Sequence, residues 1–240
     1  MVERGKPAEY GQEITRRRAR LTRSRIPLKG MTILDFGCGN GAQACEFEQD
    51  GCRVIGVDID RDDLATFADQ IVLLGSKSMV PIWYDGSQLP MGDGCIDGVI
   101  SYEVLEHVQD EDRALSEISR VLKPGGNLVI SVPNKWWVFE THGAYLPVLP
   151  WNRVPFFSWL PGAIHDRFAK ARIYRKADIT KLLVQHGFEI VEVSYITAPM
   201  DVVKNPGLKK VLRSTVFRGD VTAVPFFSTA ILVHARKPGS

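Results

Sequence analysis

The chain has 240 residues, 45% apolar and 24% charged, an ordinary globular composition and enough to bury a sizeable core. A formal net charge of +2 does not by itself point to nucleic acid. The best apolar stretch, 143–164, is broken by four prolines, Asn152 and Arg153, so no run is clean enough to span a bilayer.

"TRRRARLTRSR" (15–25) packs six arginines ahead of the first apolar run, and in a helix Ile14 and Leu21 would share one face. "MTILDFG" (31–37) reads as a first strand, and "ACEFEQDG" as a helix closing at Gly51. "RVIGVDID" (53–60) is a second strand ending in acids, with "RDDLATFADQI" a helix after it. "MVPIWYDG" (79–86) and "IDGVISYE" (96–103) are the third and fourth strands. "DEDRALSEISRVL" places Ala114, Leu115, Ile118, Val121 and Leu122 at helical spacing, with Asp110 as N-cap and Pro124, Gly125 and Gly126 as the stop. "NLVISVPN" (127–134) is the fifth strand. Apolar strands each followed by a helix predict a parallel sheet buried on both faces, with every strand's C-terminal end on the ligand-binding edge.

The rhythm breaks after residue 134. Residues 135–168 hold Trp136, Trp137, Trp151, Trp159, Phe156 and Phe157 among four prolines, with no clean period, which marks an insertion and not a sixth strand–helix unit. "KADITKLLVQHG" (176–187) then reads as a helix, "FEIVEVSYI" (188–196) as a strand, "NPGLKKVLRSTVFRGD" as helical in its middle, and "FFSTAILVHARK" (226–237) as the last strand. The expected architecture is a Rossmann-like, seven-stranded, mostly parallel α/β sheet with helices on both faces, the last strand antiparallel and a lid after strand five. Four segments follow: a basic helical one at 1–30, a core at 31–134, the insertion at 135–170, and completion of the sheet at 171–240.

Cys38, Cys45, Cys52 and Cys95 form no CxxC pair and have no interleaved histidines, so no metal site or disulfide framework is expected. Free thiols and an N-terminus without an apolar signal region suit a cytoplasmic protein. "GCGNGA" (37–42) formally fits the G-x-G-x-x-A dinucleotide fingerprint, with Asp58 at ribose-binding distance, so an NAD-dependent oxidoreductase is one reading. Asp35, two places upstream, would be an odd neighbour for a pyrophosphate. It suits a ligand that brings positive charge to this edge. No G-x-x-x-x-G-K-[ST] loop occurs.

The run Asp35, Phe36, Gly37, Cys38, Gly39, Asn40, Gly41 resembles the acid-x-G-x-G-x-G motif of class I S-adenosylmethionine-dependent methyltransferases. "EVLEHV" after the fourth strand and "LKPGG" before the fifth resemble its small-molecule and ubiquinone-pathway branch. The resemblance is dense over 31–134 and loose over 170–237. It implies S-adenosyl-L-methionine as cofactor, a ligand with an ammonium and a sulfonium but no phosphate. Asp35 would support the methionine part, and Gly37, Cys38, Gly39 and Gly41 would let backbone approach. Asp58 would accept from both ribose hydroxyls, and Ile59 would pack on adenine. Asp85 and Gly86 would meet the adenine edge, and Ser101 and Tyr102 would contact the cofactor from the fourth strand.

For a hydroxyl acceptor His107 is the first candidate base, with bracing of the turn beside Glu106 as its other reading. Glu103 is a candidate for the methionine part or the acceptor. His142 and His165, in or beside the insertion, are lesser candidates, and His186 reads as a helix C-cap donor. The expected function is methyl transfer, in line from the sulfonium and more often to oxygen, onto a small-molecule or lipid-like acceptor held under the aromatic insertion. Those aromatics also suit a subsidiary core, or peripheral membrane contact. The arginine stretch reads first as a solvated helix over the cofactor, next as contact with an anionic substrate or membrane, and last as RNA binding. "VPNKW" lacks the base-amino methyltransferase signature, so no nucleic acid is expected. A non-catalytic S-adenosylmethionine-binding protein stays open, and oligomeric state is not readable.

Overall fold

The computed structural model describes residues 13–139, 155–201 and 203–239; His142, Trp151 and the middle of the insertion lie outside them. In chain order the elements are α1 (Glu13–Arg23), β1 (Thr32–Phe36), α2 (Ala42–Cys45), β2 (Arg53–Asp58), α3 (Arg61–Leu74), β3 (Met79–Trp83), β4 (Ile96–Tyr102), α4 (Glu111–Val121) and β5 (Leu122–Pro133). After the insertion come α5 (Gly162–Phe168), α6 (Lys176–Gln185), β6 (Glu189–Thr197), α7 (Pro206–Ser214), β7 (Val221–Thr222) and β8 (Ser228–Arg236).

One sheet runs β3-β2-β1-β4-β5-β8-β6-β7. Strands β1 to β5 are parallel, and β8 lies antiparallel between β5 and β6. The count is eight and not seven, because the two-residue β7 pairs with the end of β6. A pair that short carries no apolar period to read. Chain order reverses between β1 and β4, so the crevice outside their C-terminal ends is the topological switch point where such sheets bind ligands.

Successive strand residues alternate between two cores. Leu34, Val99, Leu128 and Ile130 pack with Leu115, Ile118, Ile179 and Leu183 of α4 and α6. Ile33, Ile100 and Val129 pack on the other face with Ala19, Leu21, Ala44, Leu64 and Phe67 of α1, α2 and α3. Both faces are covered, as continuous apolar runs require.

Two local expectations are corrected. The helix expected to close at Gly51 is the four-residue α2, followed by a separate turn at Glu48–Asp50, and Gly51 ends that turn at φ +70°. The fifth strand starts at Leu122, directly after α4, and not at Asn127; pairing with β4 slips between Ile96 and Gly98, so Lys123–Gly126 bulge inside the strand. The Asp110 cap holds, its carboxylate accepting from the Arg113 N–H at 3.0 Å.

Candidate active site

Asp35 ends the inner part of β1 on the α1–α3 face, with 2% of its surface exposed. Its Oδ2 is buried and accepts no hydrogen bond. Burial, with the Asp58 carboxylate nearby, pushes its pKa up to about 7. The chain therefore holds a costly, under-satisfied acid at the switch point, the arrangement that a cationic ligand would relieve.

The loop after it is already occupied by its own hydrogen bonds. The N–H groups of Gly37 and Cys38 both donate to the Val57 carbonyl, at 2.9 and 3.1 Å, and that of Gly41 to the Cys38 carbonyl at 3.0 Å. The Gly39 N–H donates to Asp58 Oδ2 at 2.8 Å. A pyrophosphate site needs such amides turned toward the ligand; here four of them are taken. The glycines also answer to packing more than to ligand approach. A Cβ at Gly41 (φ +78°) would fall 2.0 Å from Phe67 Cδ2, and one at Gly37 (φ +76°) 2.4 Å from Val104 Cγ2. Cys38 turns its thiol into the core beside Gly56, where burial raises its pKa, so at the site it contributes backbone only.

Asp58 closes β2 with Oδ1 accepting from the Asp60 N–H at 2.9 Å and Oδ2 from Gly39. Its two oxygens are thus fixed in direction. Ile59 next to it is 48% exposed, with its Cγ2 3.5 Å from where a Cβ on Gly86 would stand. These two residues lie side by side at the ends of β2 and β3. Trp83 Nε1 donates to the Ile59 carbonyl at 3.0 Å, and the Arg61 guanidinium stacks 3.8 Å from the Trp83 ring. Asp85 is exposed, its carboxylate bonded by the Ser87 hydroxyl and N–H, which lower its pKa.

At the end of β4, Ser101 is buried in the strand and Tyr102 turns toward α1, its hydroxyl bonded to that of Thr22. Tyr102 is a strut between sheet and helix, which the sequence reading did not foresee. Glu103 adopts φ +58°, rare for a residue with a Cβ, and its Oε1 meets Ser131 Oγ at 3.1 Å and Arg18 Nη2 at 3.1 Å. Glu106 is fully buried, and burial with Glu103 nearby drives its pKa well upward. His107 Nε2 stands 4.0 Å from Glu106 Oε1 with the ring 11% exposed. Arg172, a residue not singled out from sequence, fixes this turn: it donates to the carbonyls of Val108 (2.6 Å), Gln109 (3.3 Å) and Leu105 (3.4 Å).

α1 lies across the same edge, and the arginines of 15–25 are only partly solvated: Arg16, Arg20 and Arg23 are exposed, as expected, while Arg18 and Arg25 are half-buried. Arg17 is buried and donates to the carbonyls of Thr197 at 2.7 Å and Phe217 at 3.3 Å. Arg20 holds Asp220 at 2.6 and 2.8 Å, and Arg23 holds Asp50 at 2.9 Å. These are intramolecular straps. Because β8 is antiparallel, its start joins the edge where β5 ends, and Phe226 stacks with Trp159 (5.4 Å) and Trp136 (6.2 Å). His165 is buried against Phe157, 5.2 Å between rings. His186 caps α6, its Nδ1 2.9 Å from the Leu182 carbonyl.

The unmet Asp35 oxygen and the pre-bonded loop fit S-adenosylmethionine, with its ammonium and lack of phosphate, and do not fit a dinucleotide. Comparison agrees. Residues 34–130 match the family described as "Methyltransferase domain". A probable S-adenosylmethionine-dependent methyltransferase of Mycolicibacterium smegmatis is 29% identical over 72% of this chain and 66% of its own. A ubiquinone biosynthesis O-methyltransferase of Dinoroseobacter shibae is 31% identical over 77% of this chain and 67% of its own. The chain thus spans about two thirds of the length of these relatives. The crystal structure of the [4+2]-cyclase SpnF superposes with a TM-score of 0.66 at 21% identity, over 100% of this chain and 86% of that one, and shows the shared fold. The motif, the switch-point acid and these relatives place the chain in the class I S-adenosylmethionine-dependent methyltransferases.

Proposed function

We propose that the protein O-methylates a small or lipid-like acceptor, with His107 as the base. The observation that carries this reading is the position of His107, just beyond the C-terminal end of β4 on a turn pinned by Arg172 and next to Glu106, whose pKa burial pushes upward. S-adenosylmethionine supplies an electrophilic methyl group when bound. The chain's part is to orient the acceptor hydroxyl and take its proton on His107 Nε2 as the new carbon–oxygen bond forms, a contribution of about 10²–10⁴-fold. Names of relatives such as ubiquinone biosynthesis O-methyltransferase support oxygen as the acceptor atom. Asp58, Ile59, Asp85 and Gly86 form the nucleoside end of the site in this reading, Asp35 and Glu103 the methionine end.

In this reading the insertion at 135–170 supplies the acceptor lid; its middle, 140–154, lies outside the described residues. Phe156, Trp159 and Phe226 stay partly exposed in a contiguous aromatic chain at that edge, which favours an apolar or amphipathic acceptor presented from a membrane surface. Among the described residues no helix is long and apolar enough to cross a membrane.

The test is methyl transfer from isotope-labelled S-adenosylmethionine to a panel of phenols with and without isoprenoid tails, read by mass spectrometry. Product should form on oxygen, and His107→Asn should cut turnover by about 10²-fold or more with cofactor affinity unchanged. Transfer to nitrogen or carbon alone, or full activity in His107→Asn, would refute it.

A further inference from the structure

α7 is a nine-residue helix with no buried residue. A helix that short is not stable by itself in water, and in a globular protein an apolar face turned into the core ordinarily keeps it. Here the ends and the polar side hold it. Asn205 Oδ1 accepts from the Leu208 N–H at 3.0 Å, and Pro206 opens the first turn. Arg213 turns back to the Pro199 carbonyl at 2.8 Å and to the Asp201 carboxylate, and the Phe217 ring beyond the helix meets that of Phe227 at 5.4 Å. The apolar residues are left outside. Leu208 and Val211, three apart on one face, are 52% and 56% exposed, and Val216 after them is 51% exposed.

The charge around that face is one-sided. Residues 198–227, between β6 and β8, carry Lys204, Lys209, Lys210, Arg213 and Arg218 against Asp201 and Asp220. Both acids are already matched, Asp201 by Arg213 and Asp220 by Arg20. Lys204, Lys209, Lys210 and Arg218 form no ion pair among the described residues. Because β5 and β6 both run antiparallel to β8, they point the same way, and this excursion leaves and re-enters the sheet at the end where β1 to β5 finish. It closes on Phe226, which joins Trp159 and Trp136 in the aromatic chain beside the insertion.

We propose that α7 and the residues up to Phe226 dock the protein on an anionic lipid surface, ligand edge toward the headgroups. Exposed aliphatic and aromatic side chains enter the boundary between headgroups and acyl chains, and unmatched cations beside them select anionic lipid. Other occupants match less of the face. A second copy seated about a two-fold axis would bring the same four cations toward each other, and a nucleic acid would use the cations but leave Leu208 and Val211 in water. The proposal rests on the reading that the acceptor is presented from a membrane surface, and narrows it to a segment outside both the insertion and the residues matched by the family, and to one sign of headgroup charge.

Vesicle sedimentation of the full chain tests it. The wild type should bind vesicles of phosphatidylcholine mixed with phosphatidylglycerol about tenfold or more tightly than vesicles of phosphatidylcholine alone, and lose that preference in about 0.5 M salt. Lys209→Gln with Lys210→Gln should weaken binding by about tenfold or more, and Leu208→Ser with Val211→Ser by about the same factor. Lys29→Gln with Lys77→Gln removes equal charge from exposed positions at the opposite end of the sheet and should change binding by less than about twofold. Equal binding to both vesicles, binding to neither, or equal losses in the two lysine pairs would overturn the proposal, as would a dimer in solution that Leu208→Ser with Val211→Ser dissolves. If an α7 variant failed to fold, the wild-type lipid preference and the opposite-end pair would still decide. The methyl-transfer panel reads the acceptor separately: a preference there for phenols without tails would overturn the lipid-like acceptor, while vesicle binding alone decides the role of α7.

Discussion

Asp35 is held at a cost to stability, and its ionisation should be visible in both folding and binding. Its pKa is raised from 3.8 to about 7, so the folded, cofactor-free protein binds more protons than the unfolded chain between those values. The stability this group allows is fully present below pH 3.8 and declines as pH rises through about 7. A cationic ligand reverses the preference, since an ammonium beside the carboxylate favours its charged form. Affinity for S-adenosylmethionine should therefore rise from about pH 5.5 to 7, below the titration of an α-amino group at about 7.7–8.0. Asp35→Asn should flatten that pH dependence, weaken binding by about tenfold or more, and raise the melting temperature of the cofactor-free protein. Calorimetric titration across pH and thermal melts check the three together; a steep pH dependence surviving in Asp35→Asn would remove Asp35 from the site.

At the scale of elements, α1 illustrates how a sequence signal can be assigned only in part: Arg16, Arg20 and Arg23 are exposed as expected, but Arg17 is not. Six arginines in eleven residues suggest a solvated or anion-binding face, yet Arg17 crosses to carbonyls at the end of β6 and in the segment after α7, about 180 and 200 residues away in sequence. Only tertiary structure can reveal such partners. Arg17→Met should cost about 3 kcal/mol, because it strands carbonyls that a buried guanidinium now satisfies. Urea titration would show the midpoint falling, and the loss should exceed that of the exposed Arg16→Met, which should stay within about 0.5 kcal/mol. Equal effects at the two positions would mean that α1 is held by Ala19 and Leu21 alone. The same limit hid Arg172 and the buried state of Glu106. The cap at His186 was legible because its role is local, at a helix end.

For the whole molecule, the alternation of apolar strands and helices was sufficient to read a half-sheet of five parallel strands, though not their order in space. Less legible were β7, two residues long, and the bulge within β5, because neither produces a hydrophobic period. The glycines were found for a partial reason: Phe67 and Val104 impose them as strongly as any ligand would. A molecule whose loop amides are bonded internally should discriminate sharply between nucleotide cofactors. At a concentration about 100-fold above its dissociation constant, S-adenosylmethionine should stabilise the fold by about 2.7 kcal/mol in a thermal shift assay, whereas NAD at the same concentration should leave the melting curve in place. A shift with NAD would mean that the loop can release its amides.

The antiparallel β8 has a consequence for how the protein comes into being. It sits between β5 and β6, yet it is synthesised after both. Until Ser228–Arg236 leaves the ribosome, β5 and β6 each present an open row of backbone donors and acceptors with nothing between them, and a nascent chain in that condition can recruit strands from its neighbours. Synthesis that stalls before residue 228 would release a chain with a gap in the middle of its sheet, one that chaperones must hold or proteases must clear. The last strand made is thus the one that turns an aggregation-prone half-sheet into an enzyme.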